Sequence, residues 1–156
     1  SGSNRSYAGT AVIIDEDHTI AFYNATLWMA DRFDEVVLIT SRERFAASET
    51  LINRQGIIKR LFRPNITLLP FSELLLSVDN MEEGRVKYRH LKTGQVGLIE
   101  NVAALSYASH RVTRLDLQAG LEAAGVQTEL IGDAFAPRGV LQAMIEGYEL
   151  AMKLAP

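Results

Sequence analysis

Short buried runs alternate with helical patterns in the first half of the chain. Thr10–Ile14 is apolar and rich in β-branched residues, as expected of a buried strand, and Val36–Ile39 has the same character. Between them, Ile20–Phe33 carries apolar residues near helical spacing. A strand, a helix and a second strand within about thirty residues form the βαβ unit of a parallel sheet. The sequence therefore predicts an α/β fold.

The pattern continues to Pro70 and then changes. A second helix is predicted from Ser48, a candidate N-cap, to Pro64, and a third strand at Ile66–Leu69. Turn-rich segments then separate three more apolar runs, which lie at Leu74–Val78, Val86–His90 and Val96–Ile99. We expect these runs to form an antiparallel meander. The predicted architecture is a Rossmann-like parallel sheet flanked by helices, with this small meander beside it.

The last third of the chain predicts more alternation of strands and helices. The expected elements are a strand at Ala103–Tyr107, a helix between a Thr113–Asp116 capping box and a Gly125 C-cap, a strand at Thr128–Ile131, and a final helix that starts near Pro137 and includes Leu141 and Met152. No internal repeat or low-complexity segment interrupts this order.

Composition excludes several classes of function. The 156 residues carry 16 basic and 19 acidic side chains, so there is no basic footprint for nucleic acid. The absence of cysteine rules out a disulfide, a thiolate zinc site or an iron–sulfur cluster within these residues. The apolar runs fall far short of the roughly 20 residues that cross a bilayer. We expect a cytoplasmic protein that binds neither nucleic acid nor membrane, and its start, Ser1–Ser3, is typical of a tag remnant.

The turn after the first predicted strand contains no glycine. A dinucleotide fold needs glycine there because the backbone must approach a pyrophosphate closely. Here Asp15, Glu16 and Asp17 occupy the turn, and two like charges about 5 Å apart repel by roughly 3 kcal/mol at an effective dielectric near 20. The turn is therefore predicted not to bind a dinucleotide in the usual pose. A divalent metal on Asp15, Asp17 and His18 is the alternative, against a structural role for these acids at the helix start.

Two arginines follow the second predicted strand. Arg42 and Arg44 stand where dinucleotide folds select a ribose hydroxyl or a 2′-phosphate, and they would suit NADP. A solvated charge cluster is the simpler interpretation. His90 and His110 have no evident nucleophile partner and are expected to be surface or structural residues. No catalytic residue and no metal ligand is predicted.

The sharpest motif lies near the end of the chain. Gly132 and Asp133 form a turn that leads through Pro137 and Arg138 into the final helix. Small residues recur on that helix at four-residue spacing, which lets it lie close to a sheet; they are Ala143, Gly147 and Ala151. A plain turn with an aspartate cap is the alternative to a binding role for Gly132 and Asp133.

The segment Leu130–Tyr148 resembles the carboxy-terminal signature of the NADH:flavin oxidoreductases related to old yellow enzyme, the group of trimethylamine dehydrogenase and 2,4-dienoyl-CoA reductase. The upstream order of elements is similar too, so the resemblance covers essentially the whole chain. It implies that residues 1–9 are a tag remnant or disordered lead and residues 10–112 a degenerate NAD(P)-binding-like domain. Residues 113–156 would supply the last strand and helix of an FAD/ADP-binding-like domain.

The resemblance also implies a longer parent enzyme. Its upstream β/α barrel would hold FMN and a cysteine cluster a 4Fe-4S centre, while ADP or FAD would lie beside Gly132, Asp133, Pro137 and Arg138. The chain alone would hold no cofactor and have no turnover. Its missing glycine loop resembles the amine dehydrogenases, which pass electrons to an electron-transfer flavoprotein.

The expected partners are the upstream flavin barrel and the remainder of the FAD/ADP-like domain. The expected role is a structural and electron-transfer scaffold with a degenerate dinucleotide site. Two alternatives remain at this stage. One is a working NAD(P)H- or ADP-binding module that uses Arg42, Arg44 and the helix after Pro137. The other is a module that docks an electron carrier.

Overall fold

A computed structural model describes residues 6–77, 81, 83–109 and 111–154 of the chain. Contacts divide it into two compact units, residues 1–109 and residues 110–156, and each is described by itself. Ser1–Ser3, Val78 and His110 lie outside the described residues, so the predictions made for them are not addressed.

The first unit is a mixed α/β structure. Its described elements are β1 (Tyr7–Asp15), α1 (Ile20–Ala30), β2 (Phe33–Ile39), α2 (Leu51–Leu61), β3 (Ile66–Leu69), β4 (Ser72–Leu75), β5 (Val86–His90), β6 (Val96–Ile99) and β7 (Val102–Ala108). The strands β3, β2, β1 and β7 form a parallel sheet in that order, and β4, β5 and β6 form an antiparallel sheet. The predicted α/β architecture is confirmed.

The two faces of the parallel sheet bury different residues. Ala11, Ile13 and Leu38 pack with α1 and α2 on one face, whereas Val12 and Val37 pack on the other with partly buried residues of the antiparallel sheet. Alternate residues of a strand point to opposite faces, so strands buried on both faces are apolar throughout. This explains why the sequence shows continuous apolar runs rather than alternation.

Several element ends in the first unit differ from those predicted. The first helix ends at Ala30 rather than Phe33, because Phe33 is the first residue of β2. The second helix is capped by Thr50 rather than Ser48, and the Thr50 side chain accepts a hydrogen bond from the Asn53 amide. The chain before Thr50 is held in a loop by contacts to α1, which delay the start of the second helix.

The strand boundaries differ less. The first strand begins at Tyr7, and β4 covers Ser72–Leu75 rather than starting at Leu74. In the antiparallel sheet β5 and β6 match the predicted ranges, while β7 extends one residue beyond the predicted strand at each end.

The second unit contains α3 (Gln118–Ala123), a single 3-10 turn at Gly132–Ala134 and α4 (Val140–Leu154). The predicted strand at Thr128–Ile131 is wrong: it joins no sheet in the described residues. A strand is stable only when a second backbone completes its hydrogen bonds, and the described part of this unit offers no such partner.

The predicted capping box is also wrong. The helix begins at Gln118, and no side chain caps it. Asp116 instead forms an ion pair with Arg114, which draws its carboxylate away from the helix. The expected glycine at the helix end is confirmed, since Gly125 has a φ of 76° and its amide donates to the Glu122 carbonyl. None of the described helices is long and apolar enough to cross a membrane.

Candidate functional site

The carboxyl ends of β1 and β2 lie side by side, with Ile14 beside Ile39. In open α/β sheets ligands bind outside this edge, where the strand order reverses. Here the order reverses at β1, whose other neighbour is β7. The turn after β1 and the loop at residues 41–50 after β2 therefore form the first candidate site.

A buried tyrosine joins this turn to this loop. Tyr23 on α1 is fully buried, and its hydroxyl donates a hydrogen bond to the carboxylate of Asp15 at the end of β1. The same hydroxyl accepts a hydrogen bond of 2.5 Å from the amide of Ala46 in the loop. Burial, and then the hydrogen bond to Asp15, raise the pKa of Tyr23 well above its ordinary value. The tyrosine therefore stays neutral and ties the loop to the strand.

The Asp15 carboxylate also shapes its own turn. Its Oδ1 accepts a hydrogen bond of 2.8 Å from the His18 amide, and His18 adopts a φ of 58°. The His18 ring is buried with Nδ1 3.1 Å from Asp15 Oδ2, but neither ring nitrogen has a hydrogen bond with the described residues. Asp17 accepts a hydrogen bond from the Thr19 hydroxyl.

These contacts bear on the metal alternative. Hydrogen bonds from Tyr23 and His18 take up the Asp15 oxygens that a cation would need. In the part of the chain that the structure describes, no group of three or more His, Cys, Asp or Glu side chains is placed to hold a metal ion. The hydrogen bonds of Asp15 and Asp17 tie the acidic turn to the local fold.

Another carboxylate takes the anion position at the start of α1. The Glu49 Oε1 atom accepts a hydrogen bond of 2.8 Å from the amide of Ile20, the first residue of the helix. Its Oε2 atom accepts a hydrogen bond of 3.3 Å from the Asn53 side chain. The first amides of a helix have no partner within the helix, and in dinucleotide folds they receive a phosphate. Here the loop's own carboxylate occupies that place.

The sequence analysis did not identify Glu49. It attributed the loss of the nucleotide site to Asp15, Glu16 and Asp17, which follow the strand directly. Glu49 lies 29 residues beyond Ile20, and no spacing rule links the two. A glutamate next to a helix N-cap is too common to single out, so only the folded loop reveals the contact.

The arginines of the NADP alternative lie on the surface of the first unit. Arg42 is exposed, and its backbone anchors the loop through a hydrogen bond of 3.0 Å from the Phe71 amide to its carbonyl. Its side chain forms no ion pair with the described residues. The Arg44 Nε atom lies 3.6 Å from Glu43 in a mostly exposed pair. The geometry of both agrees with the simpler interpretation of a solvated charge cluster. His90, also in this unit, accepts at Nδ1 a hydrogen bond of 3.2 Å from the Thr93 amide, which is a structural turn contact.

The second candidate site is the Gly132 turn. Gly132 is buried with a φ of 60°, and a Cβ atom there would lie 3.1 Å from the Ala143 Cβ atom on α4. Its amide donates a hydrogen bond of 2.6 Å to Glu146 of the same helix. Glu146 also pairs with Arg138. Glu146, whose contacts the sequence did not predict, therefore holds both ends of the turn against α4.

The residues predicted to bind a nucleotide at this turn differ in whether other groups of the protein already contact them. Asp133 is exposed, and its carboxylate has no hydrogen bond with the described residues. Pro137 is half-buried three residues before the start of α4. Arg138 is engaged by Glu146, and its guanidinium lies 5.5 Å from the centre of the Phe135 ring. The Asp133 carboxylate could accept a hydrogen bond from a hydroxyl group, whereas a phosphate at this turn would have to compete with Glu146 for Arg138.

The helix α4 lies close to this turn rather than to a sheet. Ala143 faces Gly132, and a Cβ atom at Gly147 would lie 4.0 Å from Ile131. The small residues therefore allow the close approach that their spacing predicts, although the element they meet is a turn.

Several solved structures share this fold. No protein-family model matches the chain, and no curated protein does. Histamine dehydrogenase from Rhizobium sp. 4-9 aligns with 99% of this chain and 24% of its own, at 21% identity and a TM-score of 0.75. A 6-hydroxypseudooxynicotine amine oxidase from Pseudomonas geniculata N1 aligns with 97% of this chain and 23% of its own, at 16% identity and a TM-score of 0.79.

Thioredoxin reductase from Lactococcus lactis shares the fold as well. It aligns with 95% of this chain and 52% of its own, at 17% identity and a TM-score of 0.66. The chain spans about a quarter of the length of the first two proteins, in their carboxy-terminal part. Those two are members of the trimethylamine dehydrogenase and old-yellow-enzyme group, so the expected resemblance is confirmed at the level of fold.

Proposed function

We propose that this chain is the carboxy-terminal part of an FMN-dependent NADH:flavin oxidoreductase or amine dehydrogenase-like enzyme. In this role it is a structural and electron-transfer scaffold with a degenerate dinucleotide site and has no turnover alone. The observation that carries the proposal is the hydrogen bond from the Ile20 amide to Glu49. The fold of a nucleotide-binding module is kept, while a side chain of the protein takes the place of the phosphate.

The first unit fits a bound dinucleotide poorly. A pyrophosphate at the start of α1 would have to displace Glu49 and then lie near the carboxylates of Glu16 and Asp17. It would also have to separate the loop from Tyr23, whose hydroxyl bonds Ala46. Each step removes a native contact and none of the acidic residues there attracts a phosphate. We therefore derive no reaction step through NAD(P)H in this unit.

The second unit fits a nucleotide better. The unpaired Asp133 carboxylate can accept hydrogen bonds from a ribityl or ribose hydroxyl, and the start of α4 offers free backbone amides to a phosphate. Gly132, Asp133, Pro137 and Arg138 would hold ADP or FAD in the parent enzyme. FAD would supply electron transfer when bound, and ADP only binding energy. FMN and a 4Fe-4S centre would belong to the parent's other domains, since this chain has no cysteine.

The exposed face of α4 supports a partner for the second unit. Met144, Tyr148 and Met152 recur at four-residue spacing and are 60–69% exposed, beside Leu141 at 66%. A face of this kind is buried when a helix packs on a sheet. We propose that the remainder of the FAD/ADP-like domain covers this face in the parent enzyme, and that the flavin barrel lies upstream.

Titration calorimetry tests the proposal. NADH, NADPH, ADP and FAD are each titrated into the chain, and we expect no saturable binding of NADH or NADPH below about 1 mM. A dissociation constant in the low micromolar range for either reduced cofactor, weakened by the double variant R42A/R44A, would establish the NAD(P)H-binding module instead. The coding sequence upstream gives a second test. A β/α barrel of roughly 250 residues followed by a cysteine cluster is expected there, and its absence would refute the parent class.

A further inference from the structure

A cavity of about 550 Å³ lies between the two sheets of the first unit. Thr10, Val37 and Leu69 line it from the parallel sheet, and Tyr88 and Ile99 line it from the antiparallel sheet. The residues that β1 and β2 contribute lie toward the amino ends of these strands, whereas the loop at 41–50 follows their carboxyl ends. The cavity is therefore separate from the first candidate site and is large enough for a small molecule.

The rim of this cavity carries negative charge that no ion pair among the described residues neutralises. Asp34, Glu35 and Glu100 line it, and its lining includes no Lys, Arg or His. The Gly9 amide donates a hydrogen bond of 2.7 Å to Asp34, which fixes that carboxylate in place. Glu35 and Glu100 form no ion pair or hydrogen bond through their side chains with the described residues. A concave surface of one charge concentrates ions of the opposite charge.

A hydroxyl that lines the cavity has no hydrogen-bond partner among the described residues. Thr10 is only 4% exposed and lies on the same face of β1 as Val12, the face that meets the antiparallel sheet. Its hydroxyl makes no hydrogen bond with the described residues. Its oxygen is not fully enclosed, because the fully buried polar side-chain atoms without a partner in the described residues are the two ring nitrogens of His18. An unused hydroxyl at this position is a group available to a ligand and is independent of the acidic rim.

The apolar floor of the cavity favours an organic cation over a metal ion. Val37, Leu69 and Ile99 present apolar surface, and Tyr88 adds an aromatic ring. Hard metal ions require six or more oxygen ligands, and the described residues place no group of three acidic or histidine side chains for a metal. An organic cation uses both features, because its charge meets the rim and its carbon body meets the floor.

We propose that this cavity binds a small organic ammonium compound. The ammonium group lies between Glu35 and Glu100, with the Thr10 hydroxyl accepting one of its N–H hydrogens. The apolar body packs on Val37 and Leu69. This inference does not depend on the proposed function, since it concerns the cavity between the two sheets of the first unit and needs neither a flavin nor a parent enzyme.

Matched ligands test the charge requirement. Phenethylammonium and 2-phenylethanol, which have the same carbon body, are titrated into the ¹⁵N-labelled chain at low salt and followed by amide NMR. We expect the cation to bind at least about tenfold more tightly than the alcohol, with saturable shifts at Thr10, Glu35 and Glu100. Equal affinities, shifts confined to other residues, or no binding up to about 10 mM would each overturn the proposal.

Variants then test the residues. E35Q/E100Q should weaken phenethylammonium binding at least about fivefold, and T10V about two- to fivefold. The control E43Q/E129Q removes two exposed carboxylates outside the cavity and should leave the affinity within about twofold of the wild type. An equal loss in both double variants would mean that only net charge matters, which would refute the site. If E35Q/E100Q lowers the thermal midpoint of unfolding, the single variants E35Q and E100Q are tested instead. If neither single variant binds phenethylammonium more weakly than the wild type, the site is refuted.

Discussion

The hydroxyl of Tyr23 donates its proton to the buried carboxylate of Asp15, and this contact joins α1 to the end of β1. Both residues are fully buried. Because the same hydroxyl accepts the Ala46 amide, a single oxygen atom couples the first strand, the first helix and the loop after the second strand. The edge of the sheet that would face a nucleotide is thereby closed by the protein itself.

Removing the Tyr23 hydroxyl should lower stability. In Y23F the Asp15 carboxylate and the Ala46 amide each lose a partner in a buried setting, and we expect the free energy of unfolding to fall by about 1–3 kcal/mol. Urea denaturation with an unchanged slope measures this. The matched control is Y148F, since Tyr148 is 68% exposed, and it should change stability by less than about 0.5 kcal/mol. Equal stabilities for Y23F and the wild type would contradict the contact.

Stability should also depend on alkaline pH through Tyr23. Its pKa is raised in the folded protein, so above about pH 10 the unfolded chain releases a proton that the native state retains. The contribution of Tyr23 to the free energy of unfolding is fully present below about pH 10. It declines as pH rises above that value, by up to about 1.4 kcal/mol per pH unit. Urea unfolding at pH 8, 10 and 11 should show the stability gap between wild type and Y23F narrowing. A gap that is constant or widens with pH would contradict this sign.

Loss of the Glu49 carboxylate should destabilise the start of α1. E49A removes an acceptor from the Ile20 amide and an anion from the positive end of the helix, and we expect a loss of about 0.5–1.5 kcal/mol because the contact is partly exposed. E49Q retains the acceptor and should lose less. The control is E43A, an exposed residue of the same loop. If E43A costs as much as E49A, the helix contact is not the cause.

Alanine at Gly132 should destabilise the second unit. The residue has a φ of 60°, and an added Cβ atom would lie 3.1 Å from that of Ala143, so G132A should cost about 1–3 kcal/mol. Gly120 in α3 has no atom near an added Cβ, and G120A should be neutral or stabilise by up to about 1 kcal/mol. Amide hydrogen exchange in α4 distinguishes the two variants, since it should be faster in G132A and unchanged in G120A. Faster exchange in both variants, or in neither, would be inconsistent with this explanation.

Local patterns predicted both strands with alternating burial and strands buried on both faces. The strands β5 and β6 match their predicted ranges, and β1 and β2 were found because apolar residues fill both faces of a buried parallel strand. The predicted ends of helices and strands were less accurate where a contact between residues far apart in the sequence fixes the end. Thr50 replaces Ser48 as the helix cap because Glu49 and Ala46 are committed to α1.

At Thr128–Ile131 the sequence pattern predicted a strand that the structure does not contain. Its β-branched and apolar residues resemble those of a strand, but a strand exists only where another backbone pairs with it. In the described part of the second unit no such backbone is present, and the segment belongs to no sheet. The composition of this segment favours a strand, but a strand also needs a second backbone to pair with, which composition does not determine.

Burial patterns and turn residues along the chain were sufficient to specify an α/β sheet with a meander, and the lack of glycine after β1 was sufficient to disfavour a dinucleotide. Which groups close the site was decided only by the tertiary structure. Glu49 reaches Ile20 and Glu146 reaches Gly132 across 29 and 14 residues of chain. Such contacts depend on how loops fold over helix ends, and the free energy of those contacts arises between elements rather than within any one of them.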